Sequence, residues 1–161
     1  MAHRSKNDDM LVDGIHHVAI LTADTDRLVR FYRAVFDAVV EDTTVDGPVR
    51  LTFLNIGPDT ELNIFEIDGN HQADRQTPMF GRGRIDHLGV RAASIDAFTE
   101  IRRRLIEHGA TDGFVTDFGP VLSLFFTDPD GLEAEVCVRN PDATPGVRNP
   151  PGTASTRFPM A

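Results

Sequence analysis

Residues 15–20 read Ile15-His16-His17-Val18-Ala19-Ile20, and residues 85–90 read Ile85-Asp86-His87-Leu88-Gly89-Val90. The two stretches align without a gap at a constant offset, and the match continues beyond them. Asp24 falls on Ser94, Leu28 on Phe98, Phe31 on Ile101 and Val35 on Leu105. Identity is low, but residue class agrees at nearly every apolar position. Two copies at this spacing are a duplicated module rather than a solenoid array.

Each copy predicts the same plan. His17 to Leu21 is short and rich in β-branched residues, as a strand requires. Asp24 or Thr25 then caps a helix whose apolar stripe is Leu28, Phe31, Tyr32 and Val35. In the second copy Ser94 is the cap, Phe98, Ile101 and Leu105 form the stripe, and Gly109 stops the helix. Arg102, Arg103 and Arg104 read as a solvated face balanced by Glu100 and Glu107. Three strands follow each helix. They are expected at Val39–Thr44, Arg50–Ile56 and Glu61–Ile67, then near Phe114–Asp117, at Val121–Thr127 and at Leu132–Val138. Gly57-Pro58-Asp59-Thr60 and Asp128-Pro129-Asp130-Gly131 mark hairpin turns.

The predicted class is α+β: two tandem βαβββ modules, 14–67 and 85–138, forming a cupped, barrel-like mixed sheet with helices outside. Residues 1–13 form a flexible N-terminus and 68–84 a linker. Residues 139–161, with five of the ten prolines, form an extended tail, read as an arm on a neighbouring subunit. A single such sheet is covered by its helix on one face only, so the other needs a second module or another chain.

The chain has 161 residues, 25 acidic against 16 basic, and a formal net charge of −9. That field repels phosphate backbones, which argues against nucleic acid as a partner. No apolar run is long enough for a membrane helix, and the polar start lacks a signal-peptide core. One cysteine, Cys137, allows no internal disulfide. A cytoplasmic protein is expected.

His17 and His87 occupy equivalent positions. A lone strand histidine is usually structural, but symmetry directs this pair into one shared cavity. Along Leu132–Val138, alternation sends Ala134, Val136 and Val138 to the helix and turns Glu133, Glu135 and Cys137 the other way. A carboxylate there needs a compensating cation. Two histidines and a carboxylate leave open positions on a metal. In module one, Asn63 takes the slot of Glu135, as a substrate-contacting amide rather than a strong ligand. Glu61 shares its face and is the candidate base. Cys137 lines the pocket.

The stretches 14–36 (GIHHVAILTADTDRLVRFYRAVF), 84–101 (RIDHLGVRAASIDAFTEI) and 125–136 (FFTDPDGLEAEV) resemble the vicinal oxygen chelate superfamily, which includes glyoxalase I, bleomycin-resistance proteins and extradiol dioxygenases. The resemblance implies paired βαβββ modules cupping one divalent ion of iron, manganese, zinc or nickel, with ligands on His17, His87 and Glu135. It implies a homodimer and a small oxygen-bearing substrate chelated by the metal, in lyase, isomerase, transferase or dioxygenase chemistry. The alternative is a non-catalytic protein of the bleomycin-resistance type that sequesters a small molecule. Asn63 and Asp37 depart from the family pattern, which often has glutamate or histidine at the first and glycine at the second.

Overall fold

Val18 and Ile20 alternate with exposed His17, Ala19 and Leu21, and this half-apolar run forms the first strand, β1 (His17–Thr22). In the computed structural model, which describes residues 11, 12 and 14–148, the order continues α1 (Thr25–Phe36), β2 (Val39–Asp46), β3 (Val49–Gly57) and β4 (Thr60–Ile67). The second module holds β5 (Leu88–Arg91), α2 (Ile95–Glu107), β6 (Val115–Asp117), β7 (Val121–Thr127) and β8 (Glu133–Arg139). Each module forms its own four-stranded mixed sheet, ordered β1-β4-β3-β2 and β5-β8-β7-β6. The first strand lies parallel to the last in both. The expected arm beyond residue 148 and the expected flexible start at residues 1–10 lie outside the described residues.

Helix boundaries follow local chemistry. Asp24 accepts from the Arg27 N–H at 2.9 Å and Ser94 from the Ala97 N–H at 3.1 Å, caps worth about 1 kcal/mol each. Glu66 adds a second acceptor at the start of α1, taking the Thr25 N–H at 2.8 Å. Asp37 ends α1 in the left-handed region, at φ 55°. That conformation explains why glycine suits this position. Here the aspartate gains a partner, Arg104, at 2.8 Å. Arg104 also reaches the Ala34 and Val35 carbonyls at the end of α1. It is therefore a link between the modules, whereas Arg103 lies on the solvated face with Glu100 and Glu107.

The modules meet through their helix-bearing faces. Leu54, Leu62 and Ile64 of the first sheet, the α1 stripe, Phe98 and Leu105 of α2, and Leu124, Phe126, Ala134 and Val136 of the second sheet form one contiguous core. Phe126 packs against Phe31 and Phe36, with ring centroids 6.4 and 5.5 Å apart. The opposite face of each sheet consequently points away from the other module. The sheets do not close a barrel within one chain, and β1 and β5 are edge strands that do not lie side by side.

The loop after β7 fastens this arrangement. Asp128 accepts the N–H groups of Asp130 and Leu132, both at 2.9 Å. Asp130 accepts from Thr22 at 2.6 Å and pairs with Arg27. Burial pushes the Asp128 pKa up to about 6 from 3.8, with Asp130 adding to the rise and backbone donors opposing it. A raised carboxylate pKa favours the folded state while the group is protonated. Its stabilising contribution is therefore complete below about pH 4 and is lost as pH rises through about 6. Asp128→Asn keeps an acceptor for both N–H groups and lets its amide face the Tyr32 hydroxyl. The variant should gain on the order of 2–3 kcal/mol over the parent between pH 4 and 7. Urea midpoints across that range will check this; a pH-independent difference contradicts it.

Candidate functional site

The outward face of the second sheet carries the better-formed half of the site. Alternation along β8 puts Ala134 and Val136 in the core and Glu133, Glu135 and Cys137 on the other face. His87 immediately precedes β5, two residues before Gly89, which pairs with Glu135. His87 Nε2 lies 3.4 Å from Glu135 Oε1. Each partner is held from behind. His87 Nδ1 meets Asp86 Oδ2 at 2.7 Å, and the Ser123 hydroxyl donates to Glu135 Oε2 at 2.6 Å. The His87 hydrogen bond, with the Phe80 N–H second, draws the Asp86 pKa below its ordinary value. At Gly89 an added Cβ would sit 3.2 Å from Glu135 Oε1, so a side chain there would crowd the carboxylate.

His87 and Glu135 are two donors of the kinds a divalent cation takes, an imidazole nitrogen and a carboxylate oxygen. A ligating histidine usually holds its other ring nitrogen against a carboxylate, as Asp86 holds His87 Nδ1. Burial, followed by the Glu135 charge, pushes the Cys137 thiol up to about 12. It stays protonated at neutral pH and lines the floor as a neutral group. Glu133 is committed elsewhere, to the Met79 N–H and to Arg82 at 3.2 Å.

The remaining residues expected at the site lie on the first sheet. His17 pairs in register with Glu61, and Ala19 with Asn63. The repeat carries Ala19 onto Gly89, so Asn63 does hold the slot of Glu135. Asn63 Oδ1 is buried and has no hydrogen-bond partner among the described residues. His16 and His17 bring their Nδ1 atoms to 3.0 Å. The chain thus brings His87 and Glu135 together but leaves His17, Glu61 and Asn63 on the other sheet. Among the described residues, no three His, Cys, Asp or Glu side chains cluster as a cation site. Symmetry was expected to direct the two histidines into one shared cavity; within one chain, the packing of the modules through their helix-bearing faces leaves them on separate sheets.

Asp86 and Ser123 are absent from the sequence reading. Asp86 was legible as the neighbour of His87 opposite His16 in the repeat. Ser123 had no such signal, being one small polar residue in an apolar strand.

Known proteins place the chain. The model of the Glyoxalase/Bleomycin resistance protein/Dioxygenase superfamily matches residues 14–136. The chain belongs to this superfamily. Among curated members, it is 29% identical over 146 residues to a 2-epi-5-epi-valiolone epimerase from Actinomyces sp, covering 76% of this chain and 77% of the relative. Its fold matches the superfamily domain of Frankia sp. EAN1pec with TM-score 0.68 and 20% identity, covering 81% and 95% of the two chains. It matches the fosfomycin resistance protein FosX of Listeria monocytogenes, solved with Mn(II) and sulfate, with TM-score 0.60 and 16% identity, covering 83% of this chain and 98% of FosX. Superfamily members with this fold thus include enzymes, while the substrate of each belongs to its own site.

Proposed function

We propose that this superfamily member is a divalent-metal-dependent enzyme acting on a small oxygen-bearing substrate. The cation would be held by His87 and Glu135 of one chain and by His17 of a second copy. The observation that carries the reading is the pre-set His87–Glu135 pair, backed by Asp86 and Ser123 on the face of the second sheet turned away from the core.

Two incomplete halves on outward faces are complementary. A second copy related by a twofold axis sets the first sheet of each chain against the second sheet of the other and completes two equivalent sites. The bound ion supplies Lewis-acid polarisation of substrate oxygens. Glu61, the register partner of His17, would move a proton. Asn63 Oδ1, without a hydrogen-bond partner among the described residues, would accept from a substrate hydroxyl. Exposed Ile15 and Ile85, 72% and 86% accessible, flank the two histidines and would be covered by the same pairing.

The test is metal analysis of protein purified without added metal, with light scattering on the same sample. We expect about one transition metal per chain, and a mass about twice the 17.8 kDa chain. A protein that takes up no metal even after reconstitution contradicts the enzyme reading and favours the non-catalytic binder.

A further inference from the structure

We infer that Ser123 is a positioning residue of this site, confining Glu135 to a single coordinating oxygen. The inference rests on the metal-site reading above. Ser123 lies midway along β7 and is fully buried. It is paired with Cys137 of β8 on one side and Thr116 of β6 on the other. It is a polar residue in the run Val121-Leu122-Ser123-Leu124-Phe125-Phe126, where its parity carries it to the same face as Glu135. Its hydroxyl has one proton to give, and that proton goes to Glu135 Oε2 at 2.6 Å. A hydroxyl donating to a carboxylate at that distance makes a charge-assisted bond, among the stronger kinds in proteins.

The two oxygens of Glu135 therefore have separate roles. Oε2 is held at the floor by Ser123, and Oε1 is the atom that faces His87 Nε2 at 3.4 Å. Gly89 keeps the space beside Oε1 clear, since a Cβ there would stand 3.2 Å away. Chelation through both oxygens requires both to turn toward the cation. With Oε2 engaged, Glu135 offers one, and the coordination position that Oε2 would have filled stays open for substrate. A hydroxyl that only satisfied a buried polar atom would affect stability and leave the coordination unchanged.

Ser123→Ala in the full-length protein separates these roles, with Mn(II) and Co(II) as probes. Outer-shell substitutions weaken metal binding by about 10–100-fold, and we expect a Mn(II) affinity loss in that range. The deciding readout is the visible spectrum of the Co(II) protein. Freed Oε2 raises the coordination number, so the bands should weaken and shift. An unchanged Co(II) spectrum in Ser123→Ala overturns the assignment whatever the affinity does. Ser123→Thr retains the hydroxyl and should keep the parental spectrum; an alanine-like spectrum in this variant overturns it equally. Parent protein that binds neither ion overturns the site reading itself. A parent that binds both, with an alanine variant indistinguishable from it, overturns only the role of Ser123.

Discussion

Glu135→Gln will reduce divalent-metal affinity by more than about 100-fold, because loss of outer-shell support alone costs 10–100-fold and this change removes the charged ligand itself. The fold should survive. The glutamine has the same shape and its carbonyl can still accept from Ser123. The core face of β8 is built by Ala134, Val136 and Val138, which the change does not touch. Mn(II) titration calorimetry checks the affinity, and circular dichroism with thermal melting of the metal-free protein checks the fold. Retained affinity would remove Glu135 from the site. Loss of the fold would show that the carboxylate has a structural role the geometry does not assign to it.

Phe126→Ala should be the most destabilising single change in the molecule's centre, at about 3–5 kcal/mol. Phe126 is 3% exposed and touches the aromatic rings of α1 across the boundary between modules. Its removal leaves a cavity at the point where the two sheets share one core. Polar links between the modules, such as the Arg104–Asp37 pair and the Arg27–Asp130 pair, are partly exposed and do not replace that packing. Urea unfolding should therefore shift strongly to lower denaturant and broaden, as the modules lose their common cooperative unit. A shift worth less than about 1 kcal/mol would mean that the module boundary is not packed through this ring.

The fold was legible because each layer repeats a simple period. Val18 and Ile20 alternate; Leu28, Phe31, Tyr32 and Val35 recur at helical spacing; Ala134 and Val136 alternate with Glu135. Those patterns state which face of each element is apolar, and the register pairs Asn63 and Glu135 equivalently, as the repeat implied. The direction in which the modules face each other was not legible. An apolar face reads the same whether its own helix covers it or a neighbouring module does. The choice depends on particular contacts such as Phe31 with Phe126 and Arg104 with Asp37, which no period encodes. The same holds for the site. Histidines at matched positions and a carboxylate of known parity stand out in a chain, whereas the serine behind that carboxylate looks like any serine in a strand.

A site built from two chains has a direct signature in mixed dimers. His17→Ala and Glu135→Gln chains, each with its own affinity tag, are co-expressed and the heterodimer is isolated. If each site takes His17 from one chain and His87 with Glu135 from the other, both lesions fall in one site and the second site is intact. The heterodimer should then hold about half a metal per chain, against almost none in either homodimer. If every site is built within a single chain, each site of the heterodimer carries one lesion. Metal content no higher than that of the two homodimers would contradict the shared site.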